Sequence, residues 1–144
     1  MKVSLRPVAP DDVDLIHRWR NDPGVRAQMF HPDLITISEH QAYWKKRLAD
    51  PRSISYVILE EKTPCGMIKL DLVDGEQDVG ILIAPQAQGR GIATQALAAL
   101  VPLAKRANIR KLTARIKEGN EASRSLFVHS GYVKKGDRYE LMIS

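Results

Sequence analysis

Residues 79–97, VGILIAPQAQGRGIATQAL, set an apolar run, a proline, a glycine pair and an amphipathic stretch in that order. An apolar run over 78–84 closed by Pro85 reads as a buried strand. Gly89 and Gly91 allow a turn that most side chains resist. From Gly91 to Ala107, helical spacing puts Ala93, Leu97, Leu100, Ala104 and Ala107 on one face. Pro102 lies inside that stretch and predicts a kink or a 3₁₀ turn. A strand, a glycine loop and a helix in succession commit the chain to sheet-and-helix layers. They also aim the first unpaired N–H groups of the helix at whatever anion enters the loop.

The spacing excludes two common phosphate loops. No Lys-Ser or Lys-Thr follows the glycines, as a mononucleotide P-loop needs. Thr94 stands where the dinucleotide fingerprint has its third glycine. What remains is Gln88-Gly89-Arg90-Gly91-Ile92-Ala93, of the form Q/R-x-x-G-x-G/A, followed about thirty residues later by Asn120-x-x-Ser123-x-x-x-Phe127 and Gly131-Tyr132.

On these two motifs the chain resembles the GNAT superfamily of acyl-CoA-dependent N-acetyltransferases, over nearly its whole length. The resemblance implies an α/β (α+β) fold, with a mixed, mostly antiparallel seven-stranded sheet splayed between strands 4 and 5 and flanked by about four helices. It implies acetyl-CoA as acyl donor and a small-molecule amine as acceptor. The segment Arg20-Asn21…Val25-Arg26, then Met29-Phe30, Glu39-His40 and Trp44, is similar to GNAT enzymes that acetylate nucleotide-linked amino sugars, as in the pseudaminic acid pathway. It is also similar, more loosely, to the branch that acetylates ribosomal-protein N-termini.

The rest of the chain agrees with one domain over 1–144. Residues 2–8 alternate as a strand. Pro10-Asp11-Asp12 opens a helix to about Asn21, which Asp22-Pro23-Gly24 breaks. Ser38-x-x-Gln41 reads as a capping box for a helix ending at Asp50-Pro51. Strands follow at 53–61 and 66–73, with turns at Lys62-Thr63-Pro64 and Asp74-Gly75. A strand at 111–117, a helix from Asn120 to Ser130 and a hairpin of 132–135 with 139–143 close the chain.

Net charge is +5. The cations are otherwise mostly scattered, and Lys45-Lys46-Arg47 and Lys134-Lys135 read as solvated faces, which argues against nucleic acid. No apolar run reaches the roughly 18 residues of a membrane span. The single Cys65 cannot form an internal disulfide, reads as a buried apolar residue, and fits a cytoplasmic setting. The histidines lack metal-ligand spacing, so no metal is expected. A monomer or homodimer is expected.

Under the resemblance, the donor is held by the backbone of Ile81, Leu82 and Ile83, by Gln88, Gly89, Arg90, Gly91, Ile92, Ala93 and Thr94, and by Asn120, Ser123 and Phe127. The amide of Leu82 or Ile83 is free to polarise the thioester carbonyl. The family's proton donor is often a tyrosine seven places after the asparagine, but here that place is Phe127, so Tyr139, Tyr132, Ser125 or water could substitute, and the thiolate is a tolerable leaving group without one. The proton acceptor is open among Asp78, Glu76, His31 and His40. Arg20, Asn21, Arg26, Phe30, His40 and Trp44 are placed to bind the acceptor, the arginines and histidine at a diphosphate and the rings by stacking.

Overall fold

The structure is a computed structural model that describes residues 2–29 and 32–144. Seven strands form one sheet: β1 (Val3–Pro7), β2 (Ile54–Glu60), β3 (Thr63–Val73), β4 (Glu76–Ile83), β5 (Lys111–Ala114), β6 (Val133–Lys135) and β7 (Arg138–Met142). Their order is β1-β2-β3-β4-β5-β7-β6, with every neighbour antiparallel except β4 and β5. The helices are α1 (Val13–Asn21), α2 (Pro23–Arg26), α3 (Ile37–Ala49), α4 (Ile92–Arg106) and α5 (Glu121–His129). This is the mixed, mostly antiparallel sheet expected, with one short helix more.

The turns follow from residue chemistry. Asp74 and Gly75 both take positive φ, 51° and 79°, the signature of a type I′ hairpin between β3 and β4. The preceding turn sits earlier than expected, at Glu61-Lys62, and Thr63 already pairs with Glu60. Pro64 is tolerated because the ladder shifts register between Ile58 and Leu59 beside it.

Helix starts depart from the sequence reading in two places. Asp22-Pro23-Gly24 does not simply break the chain: the Asp22 carboxylate accepts from Gly24 and Val25 N–H and caps the single turn of α2. The cap of α3 is Thr36, not Ser38. Thr36 Oγ1 accepts from Glu39 N–H at 3.1 Å, and Glu39 reaches back to Thr36. Sequence spacing allows either box; the Thr36 register buries His40 and Trp44 together.

α4 runs unbroken through Pro102, with neither a break nor a 3₁₀ turn. Its buried residues are Ile92, Ala96, Leu97, Leu100 and Ala104. Ala107 is exposed because the helix ends at Arg106, and Ala93 is only half-buried.

Arg47 is no solvated residue. Its side chain is 10% exposed, and it donates to Ser55 Oγ, Asp71 Oδ1 and the carbonyls of Ile54 and Leu70, tying α3 to β2 and β3. Cys65 is buried, as expected.

The seam between β4 and β5 positions the site. The two strands meet at one paired position, Asp78 with Thr113. Side chains fasten the foot of the seam: Lys111 to Glu76 at 2.9 Å, Thr113 Oγ1 to Asp78 at 2.8 Å, and Arg115 to Asp74 at 2.9 Å. Above it β4 continues to Ile83, whereas β5 stops at Ala114, short of the expected residue 117. The strands therefore part.

Candidate active site

The gap beyond Asp78 is a cleft of 470 Å³. Its floor is Ile81, Leu82 and Ile83 of β4; one wall is Gln88, Gly89, Gly91, Ile92, Ala93 and Thr94; another is Asn120 and Ser123. Eleven of the thirteen residues expected at the donor thus line one cavity. Arg90 does not, because its guanidinium turns away to a two-pronged pair with Glu60 at 2.7 and 3.0 Å. Phe127 does not either. It is buried edge-on against Tyr132, with ring centroids 4.9 Å apart.

Strand alternation resolves which amide is free. Ala84 N–H donates to the Cys65 carbonyl at 2.8 Å, so the even residues of β4 point their backbone groups at β3. Leu82 lies in that set, opposite Met67, and its amide is occupied. Ile81 and Ile83 point into the gap. The Ile83 carbonyl accepts from Gln88 Nε2 at 3.2 Å, leaving the Ile83 N–H facing the cleft. Leu82 therefore contributes its side chain, not its amide.

Gly91 is the N-cap of α4 at φ 80°, ψ 9°, with no side chain capping the helix, and Gly89 lies at φ 77°. Among the described residues, the first N–H groups of α4 have no side-chain cap. A Cβ on either glycine would meet no protein atom within 4 Å. Asn120 caps α5 through Ser123 N–H at 3.0 Å and donates to the Gln28 carbonyl at 3.2 Å, bridging the cleft mouth to the loop after α2.

A second cavity of 190 Å³ adjoins the first through Met29 and Leu82. Arg20, His40 and Trp44, three of the residues expected to bind the acceptor, line it. Tyr43, Met67 and Lys69 also line it; no local pattern marks them, because only the α3–β3 packing brings them together. Lys69 Nζ donates to Tyr43 Oη at 2.5 Å and pairs with Asp71 at 3.2 Å. Asn21 is not a lining residue. Its amide is spent on the backbone of Ile35 and on His17, fixing the segment before α3. Arg26 lines neither cavity and donates to the Asn21 carbonyl. Phe30 and His31 lie outside the described residues.

No carboxylate lines either cavity among the described residues, whereas two cations line the inner one. His40 is buried, with Nε2 2.9 Å from the Val13 carbonyl oxygen. Burial pushes its pKa down; the Val13 carbonyl pulls it back up in part, His17 and Arg20 push it down further, and Asp14 opposes them.

The other expected proton-transfer groups fall elsewhere. Asp78 is held by Thr113 at the foot of the seam, and burial raises its pKa. Tyr139 lines neither cavity and sits opposite Ala114, across the sheet from Thr113 and Asp78. Glu76 pairs with Lys111. Tyr132 Oη is buried in the core, and Ser125 Oγ meets His129 on the surface of α5.

A family model for the acetyltransferase (GNAT) domain matches residues 2–133. YdaF of Bacillus subtilis (strain 168), whose name assigns it ribosomal N-acetylation, is 30% identical over 97 residues, or 65% of this chain and 53% of that protein. The chain thus spans about half of that relative. Spermidine N(1)-acetyltransferase of Escherichia coli K12 is 23% identical over 94% of this chain and 75% of its own length. The crystal structure of Vibrio cholerae spermidine N-acetyltransferase with CoA and spermine superposes with a TM-score of 0.86 at 19% identity, covering 98% of this chain and 95% of that one. No helix among the described residues is long and apolar enough to cross a membrane.

Proposed function

The chain belongs to the GNAT acetyltransferase family of acyl-CoA-dependent N-acetyltransferases, and from that premise we propose that it acetylates the primary amine of an amino-sugar nucleotide. The observation that carries this acceptor class is the inner cavity: cationic Arg20 and Lys69, the rings of Tyr43 and Trp44, and no carboxylate among the described residues. A phosphate-bearing amine matches those charges, and its sugar or base matches the rings. A polyamine brings two or more ammonium groups to a lining that holds Arg20 and Lys69 and offers no carboxylate among the described residues.

The cleft fits the acyl donor. Its diphosphate is to be met by the uncapped N–H groups following Gly89 and Gly91, and its extended arm by the unpaired edge of β4 at Ile81 and Ile83. The donor supplies an activated acetyl group. The chain supplies position, a backbone N–H at Ile83 aimed into the cleft, and an inner cavity that opens where floor and wall meet at Leu82 and Met29.

Free-thiol release from acetyl-CoA, measured across an amino-sugar nucleotide, spermidine, an aminoglycoside and ribosomal-protein N-terminal peptides, tests the reading. Turnover is expected with the sugar nucleotide and not with spermidine. A preference for spermidine, or no thiol release with any amine, overturns it. A second reading, acetylation of a ribosomal-protein N-terminus, is favoured by the likeness to YdaF and is decided by the peptide arm of the same assay.

A further inference from the structure

Acyl transfer needs a neutral amine, and the nitrogen that attacks must shed protons to some base. The cavity linings offer few choices among the described residues. The donor cleft presents only amide, hydroxyl, thioether and apolar groups. In the inner cavity Arg20 stays protonated, Lys69 is an ammonium already donating to Tyr43 and Asp71, and Trp44 is only a donor. Tyr43 Oη accepts from Lys69 and lies 3.5 Å from Arg47 Nη1. His40 is left.

We propose that His40 is the general base, taking the acceptor's proton on Nδ1. A carbonyl oxygen can only accept, so the 2.9 Å contact to Val13 puts the hydrogen on Nε2 and leaves the lone pair on Nδ1. The same carbonyl then steadies the imidazolium once Nδ1 is protonated. His17 and Trp44, with ring centroids at 5.0 and 6.3 Å, fix the plane of the ring. The charged and titratable groups around it are His17, Arg20 and Asp14 from α1, Tyr43 from α3 and Lys69 from β3. Burial, His17 and Arg20 keep the ring unprotonated near neutrality, as a base must be.

The step balances as follows. The ammonium R–NH₃⁺ passes one proton to His40. The freed nitrogen lone pair bonds to the thioester carbonyl carbon, and the C–S bond breaks with its electron pair leaving on sulfur. The second proton, shed by nitrogen, neutralises the thiolate. His40 returns its proton to solvent. One acetyl group moves and one proton is released.

The inference rests on the acetyl-transfer reading, and its test separates the two. His40→Gln keeps an N–H for Val13 but removes the lone pair. The expected result is a kcat about 10²–10⁴-fold lower, KM for acetyl-CoA unchanged, the acidic limb of the kcat/KM profile gone, and partial rescue of His40→Ala by imidazole. A glutamine variant that keeps both rate and acidic limb overturns the assignment while leaving the acetyltransferase reading intact. Imidazole ¹⁵N shifts of the wild type decide it without turnover: a neutral ring protonated on Nε2 at pH 7 is expected, and a ring protonated on Nδ1 overturns it.

Discussion

Replacing Gly91 by alanine separates the backbone role of this glycine from its place in the cleft. At φ 80° an L-residue is strained by roughly 1–2 kcal/mol. The new Cβ clashes with nothing in the protein, so this strain is the whole cost to the unliganded fold. Gly75, at φ 79° in the β3–β4 turn, also has open space around its Cβ and lies far from the cleft lining. Gly75→Ala therefore carries the same strain and serves as the control. For a chain of this size each variant should lose about 2–6 °C in Tm. On the proposed placement of the donor, only Gly91→Ala puts a methyl group where its phosphates approach the N–H groups of α4. A tenfold loss of affinity there is about 1.4 kcal/mol. At acetyl-CoA one hundred times the wild-type Kd, ligand stabilises the wild type and Gly75→Ala by about 2.7 kcal/mol, but Gly91→Ala by only about 1.4. Thermal melts with and without acetyl-CoA should thus show a ligand shift of about 8 °C in the first two and about 4 °C in the third. Equal ligand shifts in all three proteins would refute the placement of the donor at the start of α4.

Other outcomes follow from the packing. Thr36→Ala should destabilise the chain by about 1 kcal/mol and Ser38→Ala by almost nothing, in denaturant melts of the two variants. Arg47→Met strips donors from the Ile54 and Leu70 carbonyls and from Asp71 and should cost about 3 kcal/mol by the same measurement. The Arg6 guanidinium holds Asp12 below its ordinary value of 3.8, helped by Ala9 N–H against the opposing effect of burial. A depressed folded pKa gives stability that is full above the unfolded value and lost as pH falls through the folded one. Asp12→Asn should accordingly flatten the decline of stability below about pH 4, read as midpoint against pH.

Where the sequence is informative, the reason is local. The strand, glycine loop and helix of 79–97 are fixed by residues within a few positions of one another, and so is the Asp74-Gly75 hairpin. Asn120 declares itself as a helix cap by the same logic. The proposed acceptor side is assembled from afar. Lys69 of β3 meets Tyr43 of α3 across 26 positions, which no window of sequence contains. Arg47 sits in a Lys-Lys-Arg run that looks solvated, yet helical rotation turns it alone inward onto two strands. Asn21 looks like a ligand-binding amide because its true partner, the Ile35 backbone, is fourteen residues away. Leu82 and Ile83 are indistinguishable as letters; only the direction of the Ala84 hydrogen bond tells their amides apart.

The seam between β4 and β5 also has a mechanical meaning. Its two blades share one ladder position, and the fastening below is made by side chains: lysine to glutamate, threonine to aspartate, arginine to aspartate. Such a joint resists sliding but yields to opening, because flexible side chains re-aim where a backbone ladder must break. The molecule concentrates its compliance along one line. Widening the gap there costs only re-aimed side chains, whereas widening within β1 to β4 would break backbone ladders.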